Sequence, residues 1–212
     1  MEVTTGLHAF IWRDFQVNNC NSYLIRGSKN ILIDPGLFQA FGNIKGELRS
    51  LDLRPDQIDL VMITHGHYDH MDAAGELDRG IPVVMSLREY EFLKDSGGAA
   101  RRIQPDFFLK EGDLTVGDVH LQIVSAPGHS PGSVCIYWPK RKALFSGDVV
   151  FDHGIGRTDL PGGDGGLLKK SIQTLTALDI EYLLPGHGEP VTGKQNVQSN
   201  FEEIERTWFS YL

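Results

Sequence analysis

Cysteine is scarce. The 212-residue chain has two, Cys20 and Cys135, too few for a disulfide framework, and both sit in apolar or strand-like stretches that mark them as buried thiols. Long apolar runs are missing as well. No stretch approaches the roughly 20 apolar residues of a membrane span, and the opening Met1-Glu2-Val3-Thr4-Thr5-Gly6 has neither a basic leader nor an apolar segment behind it. No membrane partner is expected, and the cytoplasm is the expected compartment. Basic charge is in deficit: 20 Lys and Arg against 28 Asp and Glu leave a formal net charge of -8. That is the wrong sign for the clustered basic face that nucleic-acid binding needs. A small molecule remains the expected partner. Repeats, low-complexity tracts and Pro/Ser-rich linkers are also lacking. With 41% hydrophobic and 23% charged residues, disorder is not expected. A single domain over residues 1–212 is the simplest organisation.

What is present begins with short apolar strands that run into glycine-rich or polar loops. Asn21 to Arg26, Asn30 to Ile33, Leu60 to Thr64 and Pro82 to Met85 form one group. Val119 to Val124, Val134 to Trp138, Ala143 to Phe145 and Tyr182 to Leu184 form a second. Helical stripes lie between and after them: Phe41, Ile44, Leu48 and Leu51 recur on one face, as do Val197, Phe201, Ile204 and Trp208. Ser86 and Glu89 have the spacing of a capping box. Lys140-Arg141-Lys142 reads as a solvated hairpin turn after Pro139, and Arg101-Arg102 as helix or loop surface. Two groups of strands mixed with helices suit a layered α/β protein with sheets inside and helices outside.

The densest chemical signal is Thr64-His65-Gly66-His67-Tyr68-Asp69-His70, directly after the apolar Leu60-Val61-Met62-Ile63. A buried strand ending there delivers four ligand-type side chains to a sheet edge. In extended chain, residues two apart point the same way, so His65 and His67 can share one metal ion. Asp69 and His70 start a turn towards a helix and can reach a second. Random composition rarely places three His and an Asp in six positions.

Three later residues occupy similar settings, each at the end of an apolar strand beside a glycine: His129 in Ala126-Pro127-Gly128-His129-Ser130-Pro131-Gly132, Asp148 in Leu144-Phe145-Ser146-Gly147-Asp148, and His187 in Leu183-Leu184-Pro185-Gly186-His187-Gly188. A strand end fixes a ligand rigidly, and glycine lets backbone approach a site. His8, His120 and His153 lack this setting, and His120 falls on an outward position of its strand. Five imidazoles and two carboxylates without a thiolate suit zinc, iron or manganese.

From Leu32-Ile33-Asp34-Pro35-Gly36 through His65–His70, His129 and Asp148 to Pro185-Gly186-His187-Gly188, the sequence resembles the metallo-β-lactamase superfamily, and within it the glyoxalase II-like hydrolases. The resemblance implies a four-layered αββα sandwich with a metal site at one edge of its two sheets. It also implies two divalent ions, zinc first with iron or manganese as alternatives: His65, His67 and His129 on one, Asp69, His70 and His187 on the other, Asp148 bridging. A metal-bound hydroxide would then cleave a small thioester or ester, with Asp69 as a catalytic residue that orients it. Asp148 stands where the zinc β-lactamases of this fold lack an aspartate, which disfavours antibiotic hydrolysis. One helix follows His187, against a further glutathione-binding helical domain in full-length glyoxalase II.

Several alternatives stay open. Asp34 is either a partner of a ligand His or the cap of a turn before Pro35. Arg157, in a Gly156-Arg157-Thr158-Asp159 run, either receives a substrate carboxylate or pairs with Asp152 or Asp159. The rival activity is a mononuclear non-haem iron persulfide dioxygenase using His65, His129 and Asp148. The hydrolase is preferred because Pro185-Gly186-His187-Gly188-Glu189-Pro190 is similar to the hydrolase branch. A lactonase is a further alternative.

Overall fold

The computed structural model of the chain describes residues 1–77, 80–96 and 103–212; Arg101 and Arg102 lie outside them. The chain folds as two compact units. The first comprises Met1–Leu109 with Thr115–Val119, the second Lys110–Leu114 with His120–Leu212.

In the first unit, seven strands line up in sequence order: β1 (Glu2–Thr4), β2 (Leu7–Phe10), β3 (Ser22–Arg26), β4 (Asn30–Ile33), β5 (Leu60–Met62), β6 (Val83–Ser86) and β7 (Phe107–Leu109). Pairing is antiparallel from β1 to β4 and parallel from β4 to β7. The change of sense follows from the connections, since parallel neighbours need a crossover, usually helical. Helix α1 (Phe41–Ser50) joins β4 to β5, α2 (Tyr68–Met71) precedes β6, and α3 (Leu87–Asp95) joins β6 to β7. The expected stripe of α1 is buried: Phe41, Ile44 and Leu48 join Leu24, Leu32, Val61, Ile63 and Met85 in one core. Ser86 caps α3 by accepting the N–H of Glu89 at 3.1 Å.

The second unit holds a six-stranded sheet ordered β15-β14-β11-β10-β9-β8. Its strands are β8 (Gly112–Val116), β9 (Val119–Ser125), β10 (Val134–Trp138), β11 (Ala143–Gly147), β14 (Tyr182–Pro185) and β15 (Val191–Thr192); β12 (Val150–Phe151) and β13 (Gly154–Ile155) form a separate two-stranded ribbon. Each group of expected strands thus belongs to its own sheet. β11 and β14 pair in parallel, joined through α4 (Gly165–Leu175), whose start is fixed by Asp164 accepting the Leu167 N–H at 2.9 Å. Helix α5 (Lys194–Trp208) buries Val197, Phe201 and Ile204 against Leu144, Leu183 and Ile172. The fourth member of its expected stripe behaves differently. Trp208 is 37% exposed and donates from Nε1 to the carbonyl of His153, while Phe209 completes the core. The indole N–H needs an acceptor, and the His153 carbonyl, in the loop between β12 and β13, supplies one at the surface. The turn over Lys140-Arg141-Lys142 joins the antiparallel β10 and β11 as expected, with Lys142 left-handed at φ 51°.

Among the described residues, no helix is long and apolar enough to cross a membrane.

Candidate metal centre

The first unit brings His65, His67, Asp69 and His70 together for a reason that begins in the sheet. β4 and β5 run parallel with Ile33 opposite Met62, so the residues that leave both strands emerge at the same end. Asp34 leaves β4 there with a left-handed φ of 50°, and its carboxylate meets what leaves β5. Oδ1 accepts the Thr64 N–H at 2.8 Å, and Oδ2 accepts the Thr64 hydroxyl at 2.6 Å and Nδ1 of His70 at 2.8 Å. Asp34 is therefore the partner of a candidate ligand His, as in the first of its two readings.

This network assigns protons. A carboxylate only accepts, so the ring nitrogen of His70 that faces it carries the hydrogen, and Nε2 is the nitrogen left with a lone pair to offer a metal. The Thr64 hydroxyl spends its hydrogen on Asp34, so at 3.1 Å from Nδ1 of His65 it accepts, which again leaves the lone pair on Nε2. The chain stays extended through His67 and turns into α2 at Tyr68. Nε2 of His65 lies 3.1 Å from Nδ1 of His67, the rings of His65 and His70 are 4.1 Å apart, and Asp69 and His70 offer ligand atoms within 4.8 Å of one another. Nitrogens held this close suit a shared cation.

The second unit gathers His129, Asp148 and His187 by the same device. Its parallel β11 and β14 put Asp148 and His187 just past the same end, and the Gly186 N–H donates to the Gly147 carbonyl at 2.8 Å. β9, two antiparallel pairings away from β11, ends on that side too and leads to His129. Oδ2 of Asp148 lies 3.5 Å from Nε2 of His129 and 3.5 Å from Nε2 of His187. Nδ1 of His129 is 2.8 Å from the Arg157 carbonyl. A carbonyl cannot donate, so Nε2 carries the lone pair here as well. Glycine is required at Gly128, with φ 137° and no room for a Cβ, which would fall 2.2 Å from the Leu168 nitrogen of α4. The His129 loop rests directly on that helix.

Three supporting residues carried no functional signal in the sequence. Glu89, 1% exposed, accepts the Gly66 N–H at 2.8 Å and so fixes the backbone between His65 and His67. Its spacing from Ser86 had pointed only to a cap; burial of a carboxylate, which demands a donor, is the property that no sequence pattern displays. Thr64 lies inside the motif but has no metal chemistry of its own. Asn18 donates to Oδ2 of Asp69 at 2.8 Å from a loop 51 residues away.

Cys20 donates weakly to the Asp34 carbonyl at 3.6 Å, and burial pushes its thiol up to about 11, so it stays a neutral packing group. Cys135 is also buried and free. Arg157 forms the ion pair of its second reading, with Nε and Nη2 at 2.9 and 2.8 Å from the two carboxylate oxygens of Asp159. Its contact with the candidate ligands is made by its backbone carbonyl, to His129. His120 is exposed on β9, His8 is buried in β2, and His153 sits beside Asp152 and Glu203.

Comparison with known proteins places this geometry in context. A family model described as the metallo-beta-lactamase superfamily matches residues 16–187. A protein of Methanocaldococcus jannaschii named Probable metallo-hydrolase MJ0888 is 35% identical over 80% of this chain and 87% of its own. The hydroxyacylglutathione hydrolase GloC of Haemophilus influenzae is 34% identical over 86% of this chain and 91% of its own. Among solved structures, TTHA1623 in a di-iron-bound form has a TM-score of 0.72 and 30% identity, covering 85% of this chain and 93% of that one. With the two large mixed sheets and their helices, this likeness bears out the expected α/β fold class, the αββα sandwich.

Proposed function

Because the chain belongs to the metallo-β-lactamase superfamily, we propose that His65, His67, Asp69, His70, His129, Asp148 and His187 together hold two divalent metal ions and serve the hydrolysis of a small thioester or ester. The observation that carries this reading is Oδ2 of Asp148, equidistant at 3.5 Å from the ligand nitrogens of His129 and His187. One carboxylate oxygen between two imidazoles assigned to different ions is what a bridging ligand requires.

The donor set fits the group: imidazoles and carboxylates with no thiolate, with His65, His70 and His129 presenting Nε2 and His67 turning Nδ1 towards Nε2 of His65. Two such ions, when bound, bring the pKa of water towards about 7 and polarise a carbonyl oxygen. The chain's own residues do the rest. His65, His67 and His129 would hold one ion, Asp69, His70 and His187 the other, with Asp148 shared. Asp34 keeps the proton of His70 on Nδ1, and the Arg157 carbonyl does the same for His129. Asp69, steadied by Asn18, would accept a hydrogen bond from the attacking water and orient it towards the carbonyl carbon. Zinc is the first choice of metal. Iron is the concrete alternative, since a similar protein has been solved with two irons. The thioester class draws support from the likeness to a hydroxyacylglutathione hydrolase. The setting proposed is cytoplasmic, as one domain acting on a small molecule, with neither nucleic acid nor membrane as partner.

The test is metal analysis of protein purified without added metal, beside turnover of short-chain thioesters and esters. Two equivalents of metal with hydrolysis support the proposal. One iron with oxygen uptake on a glutathione persulfide would replace it with the dioxygenase.

A further inference from the structure

The β12–β13 ribbon is the common support of the three ligands in the second unit. Asp148 precedes β12 by one residue beyond Val149. The ring of Phe151 meets the ring of His187 edge-on, 6.1 Å between centroids. Just past β13, Arg157 gives its carbonyl to His129. Gly156 packs so closely that a Cβ there would fall 1.8 Å from the Asp148 carbonyl oxygen and 3.0 Å from Nδ1 of His129. A shift of this ribbon would move all three ligands.

Little in the ribbon's own sequence holds it in place. Each strand has two residues, and isolated two-stranded ribbons are marginal in water. Its two-residue loop is Asp152-His153, with Phe151 opposite Gly154. Only the second loop residue, His153, has a positive φ, at 56°. The loops whose twist matches a ribbon have positive φ at the first loop residue or at both, and a left-handed His adds strain. Such a turn persists only when its surroundings dictate it.

The dictating group lies on α5. Asn200, 3% exposed, accepts the His153 N–H at Oδ1 (2.7 Å) and donates from Nδ2 to the Phe151 carbonyl (2.9 Å). One amide side chain thus pairs with both sides of the loop, as the peptide of a third strand would. The residue type is specific: a carboxylate accepts but cannot donate, and an alkyl side chain leaves both backbone groups unsatisfied. On the exposed side, Trp208 Nε1 donates to the His153 carbonyl at 3.1 Å, and Nδ1 of His153 lies 2.8 Å from Glu203.

We propose that Asn200 is a positioning residue for the metal centre: it fixes the β12–β13 ribbon, and through it the mutual placement of His129, Asp148 and His187, touching neither metal nor substrate. This rests on the ligand assignment made under the proposed function. The test measures metal affinity by competition with a chromophoric chelator, the visible spectrum of the cobalt-substituted protein, and thermal unfolding of the metal-free protein. Asn200→Ala should weaken metal binding about tenfold, the lower end for loss of an outer partner of a metal site, and should alter the cobalt spectrum. A Glu203→Gln/Trp208→Phe double variant, which loosens the same turn from its exposed side without removing core volume, should shift affinity in the same direction by less. If Asn200→Ala lowers the unfolding temperature but leaves affinity and spectrum as in wild type, the role is structural only and the proposal is overturned. If Asn200→Ala does not fold, the double variant decides, and unchanged affinity there overturns the proposal equally. A wild-type protein that takes up no metal sinks the ligand assignment itself, an outcome read independently of either variant.

Discussion

Replacing Asp34 by Asn isolates the contribution of one carboxylate to one metal ligand. Asparagine is isosteric and tolerates the left-handed φ of 50° found here, so the backbone should not respond. Its oxygen can still accept the Thr64 N–H now bound at 2.8 Å. What changes is the second terminal atom, where an NH₂ replaces the oxygen that accepts the Thr64 hydroxyl and Nδ1 of His70. That NH₂ can only donate, so His70 must accept on Nδ1, and its proton moves to Nε2, the proposed ligand atom. Loss of such a partner typically costs 10–100-fold in metal affinity, or about 1.4–2.8 kcal/mol. The damage should be unequal: His67 and His129 keep their partners and His65 is reached only through the Thr64 hydroxyl, so the equivalent assigned to His70 should weaken more than the other. Stepwise titration of the metal-free protein against a competing chelator reads both equivalents. Two wild-type affinities in a folded Asp34→Asn protein would refute the reasoning, because the proton on His70 would then not be set by Asp34.

Asp148→Asn should weaken both equivalents together and abolish most turnover; unchanged metal content and rate would show that Asp148 does not bridge. Glu89→Ala leaves the buried Gly66 N–H without its carboxylate acceptor and should cost about 1–3 kcal/mol in urea unfolding, whereas Glu89→Gln, which keeps an acceptor oxygen, should cost much less; equal losses would refute the acceptor role. Arg157→Ala should slow thioesters with a terminal carboxylate more than neutral ones if the guanidinium exchanges Asp159 for substrate, and an equal effect on both would leave only the ion pair. Asp179, flanked by Lys142 and Lys194 at 2.7 and 2.8 Å, has its carboxyl lowered to about 2 by hydrogen bonds from those two ammonium groups. Its folded-state pKa is depressed, so its small stabilisation is present above the ordinary carboxyl range and lost as pH falls through about 2. NMR titration should find Asp179 there and find it raised in Lys142→Ala.

The candidate ligands stand out in the sequence because a metal accepts few residue types, and those types are conspicuous at strand ends. His65, His67, Asp69 and His70 are contiguous, and His129, Asp148 and His187 repeat one local setting, so composition and spacing are enough to find them. Strand pairing was legible in part. The apolar runs of β4 and β10 were placed to the residue, but nothing in the sequence displays the order of a sheet. Amphipathic periodicity misplaced Trp208, since a spacing of four residues marks a helix face without revealing that the indole N–H has an acceptor outside the core.

The groups that orient the ligands were much harder to see, for a physical reason. Asp34 is 36 residues from His70, Glu89 is 23 from Gly66, and Asn18 is 51 from Asp69. Each is an ordinary polar residue that becomes specific only through burial or a neighbour brought by the fold. The orienter of His129 is a backbone carbonyl, which every residue has, so no side chain at position 157 could have announced it. Asp34 was the one found in advance, as one of two readings, within the Leu32-Ile33-Asp34-Pro35-Gly36 stretch that carries the family resemblance. Where the sheet sends parallel strands to one end, such residues acquire partners by topology. Sequence motifs therefore reveal the residue types suited to meet a metal, and the tautomers that would make them ligands are set by contacts that only the folded chain creates.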